Sequence, residues 1–380
     1  MKTSFIRKAA LFLILVLVGS CLAGSRLFAA SPDPALLKAK AEAEAKGYLF
    51  FTTHDEVVAG ARKEGKLRIL TSLEGRSYKV MIDAFKKRYP FIDVFASDIK
   101  GPDTHQKFLL ELKAGIPTEW DVFNMAPEFY PEYMPYIKRL DILGMATQKV
   151  LAIPTTMIDP KNRTVVVVST TVYGIGYNRK RIPEDKLPRS YEDFLKPEFK
   201  GKKFLVDIRP TGFANLAVEL GEEKVEDYAR KIAAQDPVWV RGATRPLTSI
   251  AAGEHTLFLM TYYQSCLRSA EKAPTGSLGC KLIEPVPAML RNFNAITNVA
   301  RHPHSGLLWL RFLATPEGQK IIDDYEGLNS FIYAPGSGMA KATQGKKLSV
   351  NNWDTLHNTA KWEQMVFKAF GFPRAEETKR

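Results

Sequence analysis

The sequence predicts an α/β fold in two lobes. A chain of 380 residues is too long for one small module and suits a two-lobed protein. Strand-like and helix-like runs alternate from Leu67 to Asn124, which argues for a mostly parallel sheet. The same alternation restarts after a long β-rich passage, Thr164 to Asn178, which is a candidate for the chain crossing between lobes. With 45% hydrophobic residues, 22 Phe and 14 Tyr, the chain can pack two cores and leaves little room for extensive disorder.

The first residues bear on the compartment. Lys2, Arg7 and Lys8 precede an apolar run from Ala9 to Val18, and Gly19 and Ser20 follow, the three regions of a secretory signal in order. That run is far shorter than the roughly 20 residues a membrane-spanning helix needs, and no later segment comes closer, so the mature chain is expected to be exported with no transmembrane span. Val18-Gly19-Ser20-Cys21 resembles a bacterial lipobox, in which Cys21 would become a lipidated N-terminus. Ordinary cleavage after Ala23 or near Ala29-Ala30 is the alternative. Loss of residues 1–21 lowers the net charge from +13 to +10. No basic run exceeds Lys86-Lys87-Arg88, so the charge is a solvated basic surface suited to anionic surfaces or ligands.

Residues 22–65 read as an N-terminal tether with two helices, Leu37 to Lys46 and Asp55 to Lys63, the second ending at Gly65. Leu67 to Thr71 is a strand. Tyr78, Met81, Ile82, Phe85 and Tyr89 then recur at helical spacing until Pro90. Phe91 to Phe95 and Trp120 to Asn124 are strands flanking a helix, Gln106 to Ala114, with Gly115 just past its end. Beyond the crossing passage come a helical stretch at Tyr191 to Leu195, a strand at Lys203 to Ile208, a helix at Gly221 to Ala234, and a strand at Thr256 to Met260 leading into Tyr262-Tyr263. Pro303 to Leu313, Pro316 to Tyr325 and Ala360 to Phe370 are helices, and a charged tail, 373–380, closes the chain.

Catalytic signatures are mostly missing. There is no G-x-S-x-G, H-E-x-x-H or Walker loop. Gly174-Ile175-Gly176 has Arg179 where a dinucleotide loop has its third glycine. His302-Pro303-His304 cannot present two imidazoles from one helix face, and Ser337 between Gly336 and Gly338 reads as a tight turn before it reads as a nucleophile. Dispersed charge and export argue against nucleic acid as a partner. Once Cys21 is spent on cleavage or lipid, Cys266 and Cys280 remain. Either they form a disulfide in an oxidising compartment or they stay as two buried thiols.

Two features point to a ligand. Ser72-Leu73-Glu74-Gly75 and Asp207 to Gly212 are strand-to-helix junctions, where ligands of open α/β sheets meet free N–H groups; Ser72 and Thr211 equally suit plain helix capping. Tyr262-Tyr263 follows an apolar strand and would offer two hard phenolate donors to ferric iron if both faced one cleft.

In order, Ala61-Arg62-Lys63-Glu64-Gly65-Lys66-Leu67, Thr71-Ser72, Phe85 to Pro90, Gly176-Tyr177-Asn178, Lys196-Pro197-Glu198-Phe199-Lys200-Gly201, Ala252-Gly253-Glu254, Tyr262-Tyr263 and Pro316-Glu317-Gly318-Gln319 form a set that resembles the solute-binding proteins of bacterial ABC importers. The branch is the one that includes ferric-ion-binding proteins and relatives for polyamines, thiamine, phosphonates and phosphorylated sugars. The resemblance runs roughly from Ala61 to Asp324. It implies a two-lobed periplasmic-binding-protein (type 2) fold with a hinge and an interlobe cleft, lobe one at 66–172 plus 285–335 and lobe two at 173–284 plus 336–372. It implies a monomer that hands solute to an ABC permease in the inner membrane, with no catalysis and no cofactor beyond ferric iron as cargo. It places metal ligands at Tyr262 and Tyr263, with Glu74 as a substitute oxygen donor in a first loop that lacks the His or Tyr of many ferric members. If the ligand is instead an organic or phosphorylated anion, Ser72, Thr211, a phenol and the bidentate fork of Arg209 would hold it. The rival functions are a ligand-sensing protein for a receptor and a secreted α/β enzyme.

Overall fold

A computed structural model describes residues 33–273 and 276–372. The signal segment with Cys21 and the tail 373–380 lie outside the described residues. Ten strands are present there: β1 (Lys66–Thr71), β2 (Asp93–Asp98), β3 (Val122–Met125), β4 (Val166–Asn178), β5 (Leu205–Asp207), β6 (Val238–Val240), β7 (Leu257–Tyr262), β8 (Leu278–Lys281), β9 (Val286–Ile296) and β10 (Leu348–Asn351). They form one sheet in the order β2-β1-β3-β9-β4-β7-β5-β6, with β10 on β9 and β8 on β4.

β4 organises that sheet. Its Val166-Val167-Val168-Ser169-Thr170-Thr171-Val172 stretch is rich in β-branched residues, which favour extended backbone, and all 13 of its residues are buried. Val166 to Val172 pairs antiparallel with β9, whereas Tyr173 to Asn178 pairs antiparallel with β7 and β8. The chain therefore passes from one half of the sheet to the other along this strand. It returns between β8 and β9, through a cis Glu284–Pro285 bond.

The outer strands are parallel, β1 with β2 and β3, and β5 with β6 and β7. The centre is antiparallel, because β9 runs back against both β3 and β4. The mostly parallel sheet expected from the sequence thus holds only for the flanks. Chain after 336 divides: β10 joins β9, while the helix Thr359–Ala369 sends Trp362 and Val366 into a core with Phe194, Phe213 and Tyr228. In the first half, Phe85 of helix Gly75–Arg88 meets Trp309 and Phe312 of helix Pro303–Leu313 at ring distances of 5.2 and 5.6 Å.

The glycines of Gly174-Ile175-Gly176 serve strand packing. A Cβ on Gly174 would stand 2.5 Å from the Lys281 carbonyl oxygen, and one on Gly176 would stand 2.9 Å from Leu247 Cδ2. Replacement of Gly174 by Ala should force β4 and β8 apart and cost about 1–3 kcal/mol, the usual range for overpacking. Urea unfolding reads this directly, and an unchanged midpoint would show that the strands give way freely. Cys266 and Cys280 are joined by a disulfide with Cα atoms 5.9 Å apart. Cys266 is fully buried among Leu205, Leu247, Phe258 and Leu278.

Candidate functional site

A cavity of about 480 Å³ opens where the C-terminal ends of β1 and β7 and the middle of β9 converge. Ser72, Glu74, Arg209 and Tyr262 line it, so the structure brings together four of the residues singled out in the sequence. A second cavity of about 510 Å³ continues from the first, sharing Glu128, Thr171, Tyr262 and Arg291 and adding Thr211, Tyr173, Leu356 and Glu363. Tyr263 lines neither. Tyr262 is the last residue of β7 and Tyr263 the first of helix Tyr263–Lys272, so the strand's alternation does not by itself fix where the two rings point. The Tyr263 ring packs on the cluster of Val172, Leu282 and Val286, where burial pushes its phenol up. The structure therefore does not bring the two phenols to one site.

The junction residues hold positions other than those expected. The Ser72 hydroxyl donates to Asn292 Oδ1 at 2.6 Å instead of capping a helix. Glu74 ends beside Lys100, 3.4 Å away. The N-terminus of helix Gly75–Arg88 is filled from within by Glu326, whose carboxylate accepts the Glu74 N–H at 2.8 Å and the Ser77 hydroxyl, with Arg268 3.7 Å from its other oxygen. An incoming anion finds those donors taken. Arg209 has its Nε bonded to both oxygens of buried Asp207 at 3.1 and 3.0 Å, and its guanidinium lies over the Tyr262 ring, 5.3 Å from the centroid. Its fork is spent on Asp207, which leaves the opposite edge for a ligand. Thr211 donates to Glu363 at 2.5 Å.

Residues that the sequence reading did not single out complete the wall: Lys100, His105, Glu128, Arg268 and Arg291. The Arg291 side chain is exposed and, among the described residues, makes neither an ion pair nor a hydrogen bond, although the backbone pairs with Ser169 in the sheet. Its one signal in the sequence was a lone charge in the run Val286 to Ile296. Asn292 beside it has φ 55°, and Met260, two residues before Tyr262, has φ 58°. A left-handed backbone costs a non-glycine residue about 1–2 kcal/mol. At Asn292 the cost is offset by the bond from Ser72 and by Asn292 Nδ2 donating to Ser169 Oγ at 2.8 Å. Pairing of β4 with β9 lapses at this point, and Gln319 Nε2 takes up the Val168 carbonyl at 3.0 Å. The result is a local break in β9 that sets Arg291 at the junction of the two cavities.

Electrostatics separate the carboxyls. Burial pushes Glu326 and Glu363 up, although Ser77 and Thr211 respectively hold them down in part. Burial lowers His105 from the ordinary imidazole value, which favours its uncharged form. A carboxyl raised in the folded state keeps a proton that the unfolded chain has lost. Its stabilisation is complete below the ordinary glutamate value of 4.5 and is lost as pH rises through the raised value. Unfolding by urea at pH 4.5 and 7 should therefore show a flatter pH dependence in the Glu326→Gln, Glu363→Gln double variant than in the parent. Glu326→Ala should cost about 1–3 kcal/mol by stranding the Glu74 N–H and Ser77, whereas Glu326→Gln keeps an acceptor and should cost less. Equal losses in the two variants would mean that the helix terminus does not depend on that oxygen.

The remaining candidates have structural partners. His302 Nδ1 meets Asp121 at 2.8 Å and His304 Nδ1 meets Glu64 at 2.6 Å, both at the start of helix Pro303–Leu313. Ser337 caps helix Gly338–Ala342 by accepting from Ala340 N. No group of three or more His, Cys, Asp or Glu suited to a metal ion occurs among the described residues, and no helix among them is long and apolar enough to cross a membrane.

Three solved structures show the same fold across most of this chain. An IdiA (FutA) protein of Trichodesmium, in complex with iron and citrate, is 17% identical with a TM-score of 0.64, covering 80% of this chain and 99% of its own. Iron-bound HitA from Pseudomonas aeruginosa is 15% identical with a TM-score of 0.59, covering 80% and 99%. The substrate-binding protein of an ABC transporter from Agrobacterium tumefaciens is 15% identical with a TM-score of 0.60, covering 80% and 95%. These are two-lobed periplasmic binding proteins, and that is the fold of this chain. No curated protein matches the sequence significantly. The model of the bacterial extracellular solute-binding proteins matches residues 128–359, more than half of the chain and the part that carries Glu128, Arg209, Tyr262 and Arg291. The chain belongs to that family, the exported solute-capturing components of ABC importers.

Proposed function

We propose that this protein captures a small organic anion in the cleft between its lobes and presents it to an inner-membrane ABC permease. The observation that carries the reading is Arg291: an unpaired guanidinium at the junction of two cavities, in a wall that also holds Lys100, Arg209 and Arg268. Glu74 and Glu326 offset Lys100 and Arg268. The Arg291 side chain makes no ion pair or hydrogen bond among the described residues, although its charge reaches Glu363, so an arriving carboxylate or phosphate gains a charge-assisted bond without displacing an internal one.

A bare ferric ion is a poorer match. It needs several anionic oxygens, whereas Tyr262 comes without Tyr263 and the wall carboxyls Glu74 and Glu326 are already engaged by Lys100 and Arg268. The Trichodesmium protein, bound with iron and citrate, favours one second reading, in which iron enters as a negatively charged chelate.

Lobes at 66–172 plus 285–335 and 173–284 plus 336–372 are supported by the division of β4 pairing at Val172 and Tyr173, with β10 as the strand that stays on β9. A solute that touches both lobes binds the closed state better, and that difference drives closure. Lipidation at Cys21 would tether the protein to the membrane that holds the permease.

Thermal-shift screening against phosphorylated and carboxylated solutes, with ferric citrate and ferric ion alongside, tests the assignment. Stabilisation by at least one anion, lost in Arg291→Gln, is expected. Stabilisation by ferric ion alone, with a visible charge-transfer band that disappears in Tyr262→Phe, would replace it with iron transport.

A further inference from the structure

The second cavity has a chemistry different from the first, and Arg291 stands where they meet. We infer that the second cavity holds a neutral, hydroxyl-bearing body of the solute, with Thr211 and Glu363 as the pair that selects it. This rests on the anion reading above and extends it to the other end of the ligand.

The space alone exceeds what an anionic headgroup fills. A cavity of about 510 Å³ lies within the range that suits small organic molecules, whereas a phosphate or carboxylate on Arg291 needs only the mouth. Besides Arg291 at the mouth, the carboxyl groups of Glu128 and Glu363 line this cavity, which disfavours a second anion. Leu356 and the ring of Tyr173 supply apolar surface, while Glu363 supplies the polar contact. One Glu363 oxygen accepts from Thr211 at 2.5 Å, which fixes the carboxyl, and the other oxygen has no partner among the described residues. Burial favours the protonated carboxyl, which can both donate to and accept from a hydroxyl. Apolar faces beside a carboxyl fixed by Thr211 suit a molecule whose C–H faces pack and whose hydroxyls pair. A second anion would face Glu363, and a purely apolar body would leave Glu363 unpaired at a cost.

Helix Thr359–Ala369 forms one wall and gives the means to test this, because Ala360 lines the cavity one turn before Glu363 and is exposed. Calorimetry of the full mature protein would compare headgroup-only probes, inorganic phosphate and acetate, with probes that carry a hydroxylated body, glycerol 3-phosphate, glucose 6-phosphate and gluconate. At least one extended probe should bind tenfold or more tighter than its headgroup control. Ala360→Trp, which fills the cavity, should remove that advantage, and Glu363→Ala should reduce it at least fivefold, with circular dichroism confirming that each variant is folded. Extended and headgroup probes of equal affinity, or an advantage that survives both variants, would overturn the two-ended site while leaving anion binding at Arg291 in place. Binding that ignores Arg291→Gln altogether would overturn the anion reading and this inference with it.

Discussion

Replacing Arg291 with Gln is expected to weaken anion binding by about 10- to 100-fold and leave the unfolding midpoint of the ligand-free protein unchanged. The magnitude follows from one hydrogen bond to a charged group, about 1.5–3 kcal/mol, converted to affinity at about 1.4 kcal/mol per decade. Stability should not move, because Arg291 is exposed and has no ion pair among the described residues to lose. Arg209→Gln should behave differently. It strands the buried carboxylate of Asp207, so it should lower stability as well as affinity. Paired calorimetry and urea unfolding separate the two. If both variants lose affinity and stability together, Arg291 is an internal partner like Arg209 and not a ligand anchor.

Removing the disulfide through Cys266→Ser and Cys280→Ser is expected to cost about 3 kcal/mol, the loop-entropy figure for closing about 15 residues. The sequence separation is 14. Burial adds to the cost, because two serines would bring hydroxyls against Leu205, Phe258 and Leu278. The paired change to Ala isolates the crosslink itself. The cleft should keep its anion affinity, since neither cysteine lines it. Urea unfolding of parent and variant without reductant measures the loss, and a difference below about 0.5 kcal/mol would show that the bond does not stabilise the fold.

Much of the architecture was legible because local signals were strong. Gly65 and Gly327 end their helices in left-handed conformations, at φ 63° and 70°, where a glycine follows the last helical residue. The valine run of β4 marked the crossing strand because its burial on both faces removes any polar alternation. β9 escaped notice although it is central. Its Pro287 and its polar Arg291, Asn292 and Asn294 interrupt the apolar pattern, and its pairing with β3 and β4 is a long-range matter that no local window holds. Helix Tyr263–Lys272 was missed because Gln264, Ser265, Arg268 and Ser269 dilute its apolar stripe.

The site divides in the same way. Ser72, Glu74, Arg209 and Tyr262 could be found because junctions between strands and helices are recognisable from spacing alone. Their partners could not. That Asp207 occupies Arg209, that Glu326 closes the first helix terminus, and that Asn292 holds Ser72 are contacts between distant segments. Adjacent tyrosines looked like a metal pair because sequence gives neighbourhood without direction, whereas Tyr262 lines the cavity and Tyr263 packs on Val172, Leu282 and Val286.

What the exported protein carries can be identified directly. Mature protein purified without added ligand would be denatured, and the released solute identified by mass spectrometry with parallel metal analysis. Anion capture predicts an organic solute bearing a phosphate or carboxylate group, present in the parent and depleted in Arg291→Gln. Stoichiometric ferric iron with no organic anion, retained in Arg291→Gln and lost in Tyr262→Phe, would contradict it.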